Sequence, residues 1–186
     1  MQFAPRLSTM LRSARRAGGG FALAWLVAPH ALANQGQWFL QTGGFSRHSQ
    51  ETQATGRSWQ EQHPGLGFEH RTAGWGKRPS DWSLSLSGGV VQDSRGFWST
   101  YTGAAYVRQW RPNRTVETSL GLGTYALYRS TNWKGHRALV PAVMPVGTVH
   151  LTDLGLSLNL AYVPRVTAVN SAMPSVLYLQ LGFRLP

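Results

Sequence analysis

Trp82-Ser83-Leu84-Ser85-Leu86-Ser87-Gly88-Gly89-Val90-Val91-Gln92-Asp93 decides the fold. Successive side chains of a strand point to opposite faces. One face of this stretch is therefore apolar (Trp82, Leu84, Leu86, Val90), and the other is small and polar (Ser83, Ser85, Ser87, Asp93). Leu154–Tyr162 repeats the pattern, with Leu154, Leu156, Leu158, Leu160 and Tyr162 set against Gly155, Ser157, Asn159 and Ala161. Leu177–Phe183 does so again, with Leu177, Leu179, Leu181 and Phe183 opposite Tyr178, Gln180 and Gly182. A soluble sandwich also alternates, but three features favour a membrane. The alternating runs are about ten residues long, the length of a tilted transmembrane strand. Aromatic residues gather near their ends (Trp38, Trp75, Trp82, Trp98, Trp110, Trp133), as interfacial girdles do. The polar face is built of Ser, Gly, Thr and Ala, which suits a narrow lumen. The sequence predicts an all-β protein, an eight-stranded antiparallel transmembrane β-barrel.

The predicted strands are 37–48, 63–73, 81–92, 98–110, 115–127, 138–151, 154–164 and 174–184. Connections 74–80, 111–114 and 152–153 are short, whereas 49–62, 93–97, 128–137 and 165–173 are mostly longer and more polar. Outer-membrane barrels have short periplasmic turns and longer outside loops, and an even strand count puts both termini in the periplasm. Pro141 and Pro145 fall inside the sixth strand, and Pro164 ends the seventh. Proline cannot donate to a ladder, so each marks an edge, a gap in the wall or a simple bulge.

The chain has 186 residues, enough for one domain, and no cysteine, which excludes disulfides and thiolate metal sites. Residues 1–33 read as a secretory signal peptide. Arg6, Arg12, Arg15 and Arg16 form a basic start, Phe21–Ala28 is apolar, and Ala31-Leu32-Ala33 is a small-x-small cleavage signal. The rival reading, a membrane anchor, needs a longer apolar run than about eight residues. The barrel is expected over 34–186. Four of the 18 basic and none of the 7 acidic residues leave with the signal, so the formal charge falls from +11 to +7. Nucleic acid is the usual partner for such a charge, but export argues against it, and anionic lipid headgroups attract the same cations. No stretch after residue 33 approaches 18 consecutive apolar residues, so a membrane-spanning reading requires a closed barrel.

The histidines (His30, His48, His63, His70, His136, His150) show no metal-binding spacing, and no phosphate-cradling glycine loop or GxSxG is present. The strand map does bring three polar residues to the outer rim: His48 at the end of the first strand, and Asp93 and Ser94 at the end of the third. A histidine there can take a proton from a serine hydroxyl or a water, with a carboxylate to orient it. The alternative is that polar rim residues simply face water.

Asp93-Ser94 followed by Trp98, Gly103, Trp110-Arg111-Pro112 and Leu120-Gly121-Leu122-Gly123 resembles the lipid A palmitoyltransferase (PagP-type) family of outer-membrane barrels. Leu139-Val140-Pro141-Ala142-Val143-Met144-Pro145 and Tyr162-Val163-Pro164 continue the resemblance. The resemblance implies an acyltransferase that moves a palmitoyl chain from a phospholipid to lipid A. It implies catalytic roles for His48, Asp93 and Ser94, lateral lipid gates at Pro141, Pro145 and Pro164, and an acyl-chain slot with Ala105 where the family has a floor glycine. The partners would be phospholipid, lipid A and the membrane, with no nucleic acid, no metal and no soluble cofactor, and the protein would act as a monomer. The chain departs from the family in leaving almost no room for an amphipathic N-terminal helix before Trp38, and in the wording of His63–Glu69. Two other functions remain open: a lipid A acyl hydrolase using the same rim residues, and a non-catalytic structural or lipid-binding barrel.

Overall fold

The computed structural model describes residues 36–49, 56–72, 82–168 and 171–186; the expected signal peptide and Trp75 lie outside these residues. In chain order the strands are β1 (Gly36–His48), β2 (Gln62–Thr72), β3 (Trp82–Gln92), β4 (Trp98–Trp110), β5 (Val116–Ser130), β6 (Arg137–Leu151), β7 (Leu156–Val163), β8 (Val166–Ala168), β9 (Ser171–Met173) and β10 (Val176–Arg184). Eight of them close a barrel in the order β1-β10-β7-β6-β5-β4-β3-β2, every pairing antiparallel. The short strands β8 and β9, which the alternation does not predict, pair with each other inside the β7–β10 connection. Three boundaries also shift by two residues or more, one of them the start of β10, at Val176 rather than 174. β7 begins at Leu156, because Thr152–Gly155 forms a turn closed by Gly155 N–H donating to Thr152 O (3.4 Å). β5 extends to Ser130, whose N–H donates to the Asp93 carboxylate (3.2 Å).

The exposure pattern is inverted relative to a soluble protein. Among the described residues, the buried apolar side chains are Phe39, Ala105, Val107, Met144 and Pro174, against fifteen buried polar or charged ones. Ser83, Ser85 and Ser87 are buried, while Trp82 and Val90 on the opposite face are exposed. The outside carries Leu120, Leu122, Leu139, Val143, Leu158 and Leu181. A closed cylinder with an apolar outside and a polar lumen is how β-structure spans a bilayer, because closure pairs every backbone group and leaves no edge. The protein is an outer-membrane β-barrel. Trp38, Trp82 and Trp110 are exposed at the end that holds Gly36 and Arg184, and Trp98 is exposed at the other. Trp133 departs from the expected girdle: it sits in the β5–β6 connection under the Arg57 guanidinium, 5.1 Å from the ring centroid.

Two irregularities shape the end that carries His48, called the rim below. The first is a bulge in β1: its pairing with β10 shifts between Gln41↔Gly182 and Gly44↔Gln180, and its pairing with β2 shifts at the same place. The extra residue, Gly43, reverses the alternation. Phe39 and Gln41 face inward before it, and Ser46 and His48 face inward after it. Only glycine fits, because a Cβ there would collide with the His63 carbonyl and with Pro64. The second irregularity lies between β6 and β7. Their pairing runs only from Leu151↔Leu156 to Val146↔Ala161, whereas β5 pairs with β6 along its full length, through Ala126↔Pro141 and Leu122↔Pro145. Segment 137–145 of β6 therefore has a paired strand on one side only.

Candidate functional site

At the rim, β3 and β4 are joined by the tight turn Asp93–Phe97. Asp93 N–H donates to Phe97 O (2.8 Å) and Gly96 N–H to Asp93 O (2.9 Å), with Gly96 at φ +83°. The buried Asp93 carboxylate accepts from Arg95 N–H (2.9 Å), Phe97 N–H (3.1 Å), Ser99 Oγ–H (3.0 Å) and Ser130 N–H (3.2 Å). This is the local chemistry that makes Asp a turn residue. It fixes Ser94 at the tip, where Ser94 Oγ lies 3.1 Å from His48 Nε2. His48 is buried and stacks on Trp59, ring centroids 4.9 Å apart and planes 4° apart. The structure thus brings His48 and Ser94 together at the rim. Asp93 occupies the same site but spends its hydrogen bonds on the turn, Ser99 and β5, so it orients Ser94 through the backbone rather than His48 through its ring.

Two cations border this pair. Arg95 donates from Nη1 to Ser130 O (3.0 Å) and lies over Trp59, 5.4 Å from the ring centroid. Burial pushes the Arg95 guanidinium below its ordinary pKa, the neighbouring Arg129 cation adds to that, and Asp93 opposes it. Arg129 reaches into the lumen from β5.

A cavity of about 250 Å³ runs down from the rim. On β3 its wall extends from Ser85 to Asp93, about 26 Å of strand at about 3.3 Å per residue. The wall is mixed along its length: Val91, Leu127 and Val163 stand toward the rim beside Ser46, His63, Ser99 and Arg129, and Ala105, Met144 and Val146 lie lower down beside Glu69 and Arg71. The floor is a buried ion pair: Arg71 Nε and Nη2 donate to Glu69 Oε1 and Oε2 (2.9 and 2.8 Å). Ser85 Oγ–H (2.6 Å) and Gln41 Nε2–H (3.0 Å) also donate to Glu69, and Arg71 crosses to Asn159 Oδ1 on β7 (3.1 Å). Ala105, buried in the same wall, pairs with Ser85 and so sits at the level of this floor. Met144 and Val146 of β6 and Ala161, Val163 and Pro164 beyond it line the cavity on both sides of the interrupted pairing. Pro141 and Pro145 lie on the unpaired stretch of β6.

No protein-family model matches this sequence, and no curated protein is similar to it. Solved structures with a similar fold include Neisserial surface protein A (NspA), at 12% identity over 81% of this chain and 95% of that one, TM-score 0.48. Another is Ail, the attachment invasion locus protein of Yersinia pestis, at 13% identity over 81% and 98%, TM-score 0.44. A de novo designed transmembrane β-barrel is similar at 10% identity over 81% and 96%, TM-score 0.44. These are likenesses of fold.

Sequence reasoning missed a second histidine–serine pair. Just below the rim, His63 Nε2 is 2.7 Å from Ser46 Oγ and His63 Nδ1 is 2.8 Å from Gln92 O. The bulge at Gly43 hides it, since plain alternation from Trp38 and Leu40 puts Ser46 and His48 outside. The sequence carries no clean signal of the switch: Phe45, exposed after the bulge, and Phe39, buried before it, are both apolar at odd positions. The Glu69–Arg71 floor was legible, as two charged residues at i and i+2 on an inward face.

Proposed function

We propose that this barrel takes a lipid acyl chain into its lumen through the β6–β7 interruption and transfers it, at the rim, from a phospholipid to lipid A. The observation that carries the reading is the continuity of one cavity, which reaches the edge of β6 left unpaired by β7 and ends beside Ser94, the partner of His48. A chain entering sideways avoids crossing the charged rim. It can extend down to Ala105, where the Glu69–Arg71 pair stops it. Pro141, Pro145 and Pro164 flank the opening and supply no N–H to close it. His48 Nε2 is placed to take a proton from the Ser94 hydroxyl or from a lipid hydroxyl that replaces it. Asp93 holds the turn that presents Ser94, and Arg95 and Arg129 supply positive charge for a lipid phosphate.

A second reading, a non-catalytic barrel that binds lipid, is favoured by Asp93, whose four acceptor bonds leave His48 without a carboxylate. Mass spectrometry of lipid A from cells with and without the protein separates the two. One added acyl chain supports transfer, one lost chain supports hydrolysis at the same rim, and unchanged lipid A supports the non-catalytic barrel.

A further inference from the structure

We propose that Ser46 and His63 form a second nucleophile–base pair inside the lumen and that Ser46 Oγ carries an acyl group as an ester; this rests on the reading of the lumen as an acyl-chain slot. The proton positions carry the inference. Gln92 O is a carbonyl and can only accept, so the proton of the neutral His63 ring sits on Nδ1. Nε2 is then a bare lone pair, and Ser46 Oγ, 2.7 Å away, must donate to it. That is the arrangement that activates a serine: base in contact, base oriented by a third group.

The other two pairs among the described residues lack it. His150 faces Ser157 with the same Nδ1 that meets Leu156 O (3.1 Å), so it presents Ser157 with a donor rather than a base. His48 has no partner on Nδ1 and meets Ser94 at a longer distance, so nothing fixes which nitrogen bears its proton. Ser46 and His63 are both buried from bulk solvent, yet both line the cavity. Ser46 lies two residues below His48 on the inward face of β1, about 6.6 Å along the strand, where the carbonyl of a chain hanging into the lumen would pass.

The step closes without any oxidant or metal. Ser46 Oγ attacks the ester carbonyl carbon of an acyl lipid while its proton passes to His63 Nε2. The bond to the alcohol oxygen breaks, and that oxygen leaves with the proton from His63 as the deacylated lipid. A hydroxyl of the acceptor lipid, or water, then attacks the acyl-serine and gives its proton to His63. His63 returns that proton to Ser46 Oγ as the acyl–serine bond breaks.

The test is reaction of the purified full barrel, in detergent micelles, with a long-chain alkyl fluorophosphonate, read by intact-protein and peptide mass spectrometry. One adduct on the peptide containing Ser46 is expected. It should be absent from Ser46→Ala and formed about 100-fold more slowly in His63→Gln, the usual scale for losing a positioned base. Ser46→Cys guards against misfolding: it keeps the size of the side chain and should move labelling to a thiol-reactive long-chain probe. An adduct on Ser94 instead, or on no serine, overturns the proposal. Binding of an unreactive fluorescent fatty acid to the same preparations separates the two levels. Chain binding without an adduct removes only the Ser46 nucleophile, and absence of chain binding removes the slot itself.

Discussion

His48 and Ser94 meet because two unrelated local devices agree. A five-residue turn tied by its own aspartate presents the serine, and a one-residue bulge turns the histidine inward. On the proposed function, His48→Ala and Ser94→Ala should each abolish modification of lipid A while the barrel still shows heat-modifiable migration on a gel; full modification by both variants would remove the rim pair from the chemistry. The floor makes a separate demand. Glu69 is buried and Arg71, mostly covered, holds it bidentately, and removing one partner of such a pair typically costs about 3–5 kcal/mol because the other charge is stranded. Glu69→Ala should therefore destabilise the barrel by about that amount in denaturant unfolding from vesicles, and the apolar double replacement Glu69→Leu/Arg71→Met should recover most of it. Equal losses in the single and double variants would mean that the pair contributes shape rather than charge balance. The adjacency of Asp93 and Ser94 made their half of the site readable from sequence. Ser46 and His63 are 17 positions apart on strands whose facing depends on Gly43, and no local pattern joins them.

Elements were legible wherever the alternation was long. β3, β5, β6 and β10 present a greasy face to hydrocarbon at every second residue, and the predicted bounds of β3, β4 and β6 fall within one residue of those observed. β8 and β9 have three residues each, too few for a period to be read, and the alternation predicts a loop there. The bulge in β1 was invisible for a different reason: it changes which face a residue takes without ending the strand. Its sequence requirement is sharp, and Gly43→Ala should cost about 1–3 kcal/mol, the usual range for forcing extra volume into a packed site, by pushing β1 away from the His63 carbonyl; an unchanged unfolding midpoint would mean that the bulge can move. The prolines of β6 suggested a gap or a bulge, and β6 pairs with β5 straight through both of them while its pairing with β7 stops at Val146. Amides that lack a ladder partner exchange readily. Hydrogen exchange in micelles should therefore show fast amides among residues 137–144 on the side away from β5 and slow ones over 146–151. Uniform protection along β6 would close the lateral route.

At the scale of the molecule, the same physics that hides polar side chains such as Ser83, Ser85, Ser87 and Glu69 in the lumen places leucines outside, and this inversion is what makes the chain a membrane protein rather than a sandwich. Alternation alone could not separate those cases, since both architectures bury every second residue; the small size of the serine face tipped the balance, because a sandwich core fills with large residues and a narrow cylinder cannot. The lipid contact has a depth profile that a pair of substitutions can read. Leu122 lies at the middle of β5, opposite Tyr106 and Pro145, and is 61% exposed. Leu154, in the turn before β7, is 72% exposed. On solvent exposure alone, Leu154 should tolerate charge only slightly better than Leu122. If hydrocarbon surrounds the middle of the barrel, Leu122→Arg should cost about 2–4 kcal/mol and Leu154→Arg about 0–1, the difference between midplane and interface for a lipid-facing arginine. Reversible unfolding from phosphatidylcholine vesicles measures both, and two equal, small penalties would show that water, not lipid, covers the outer face of β5.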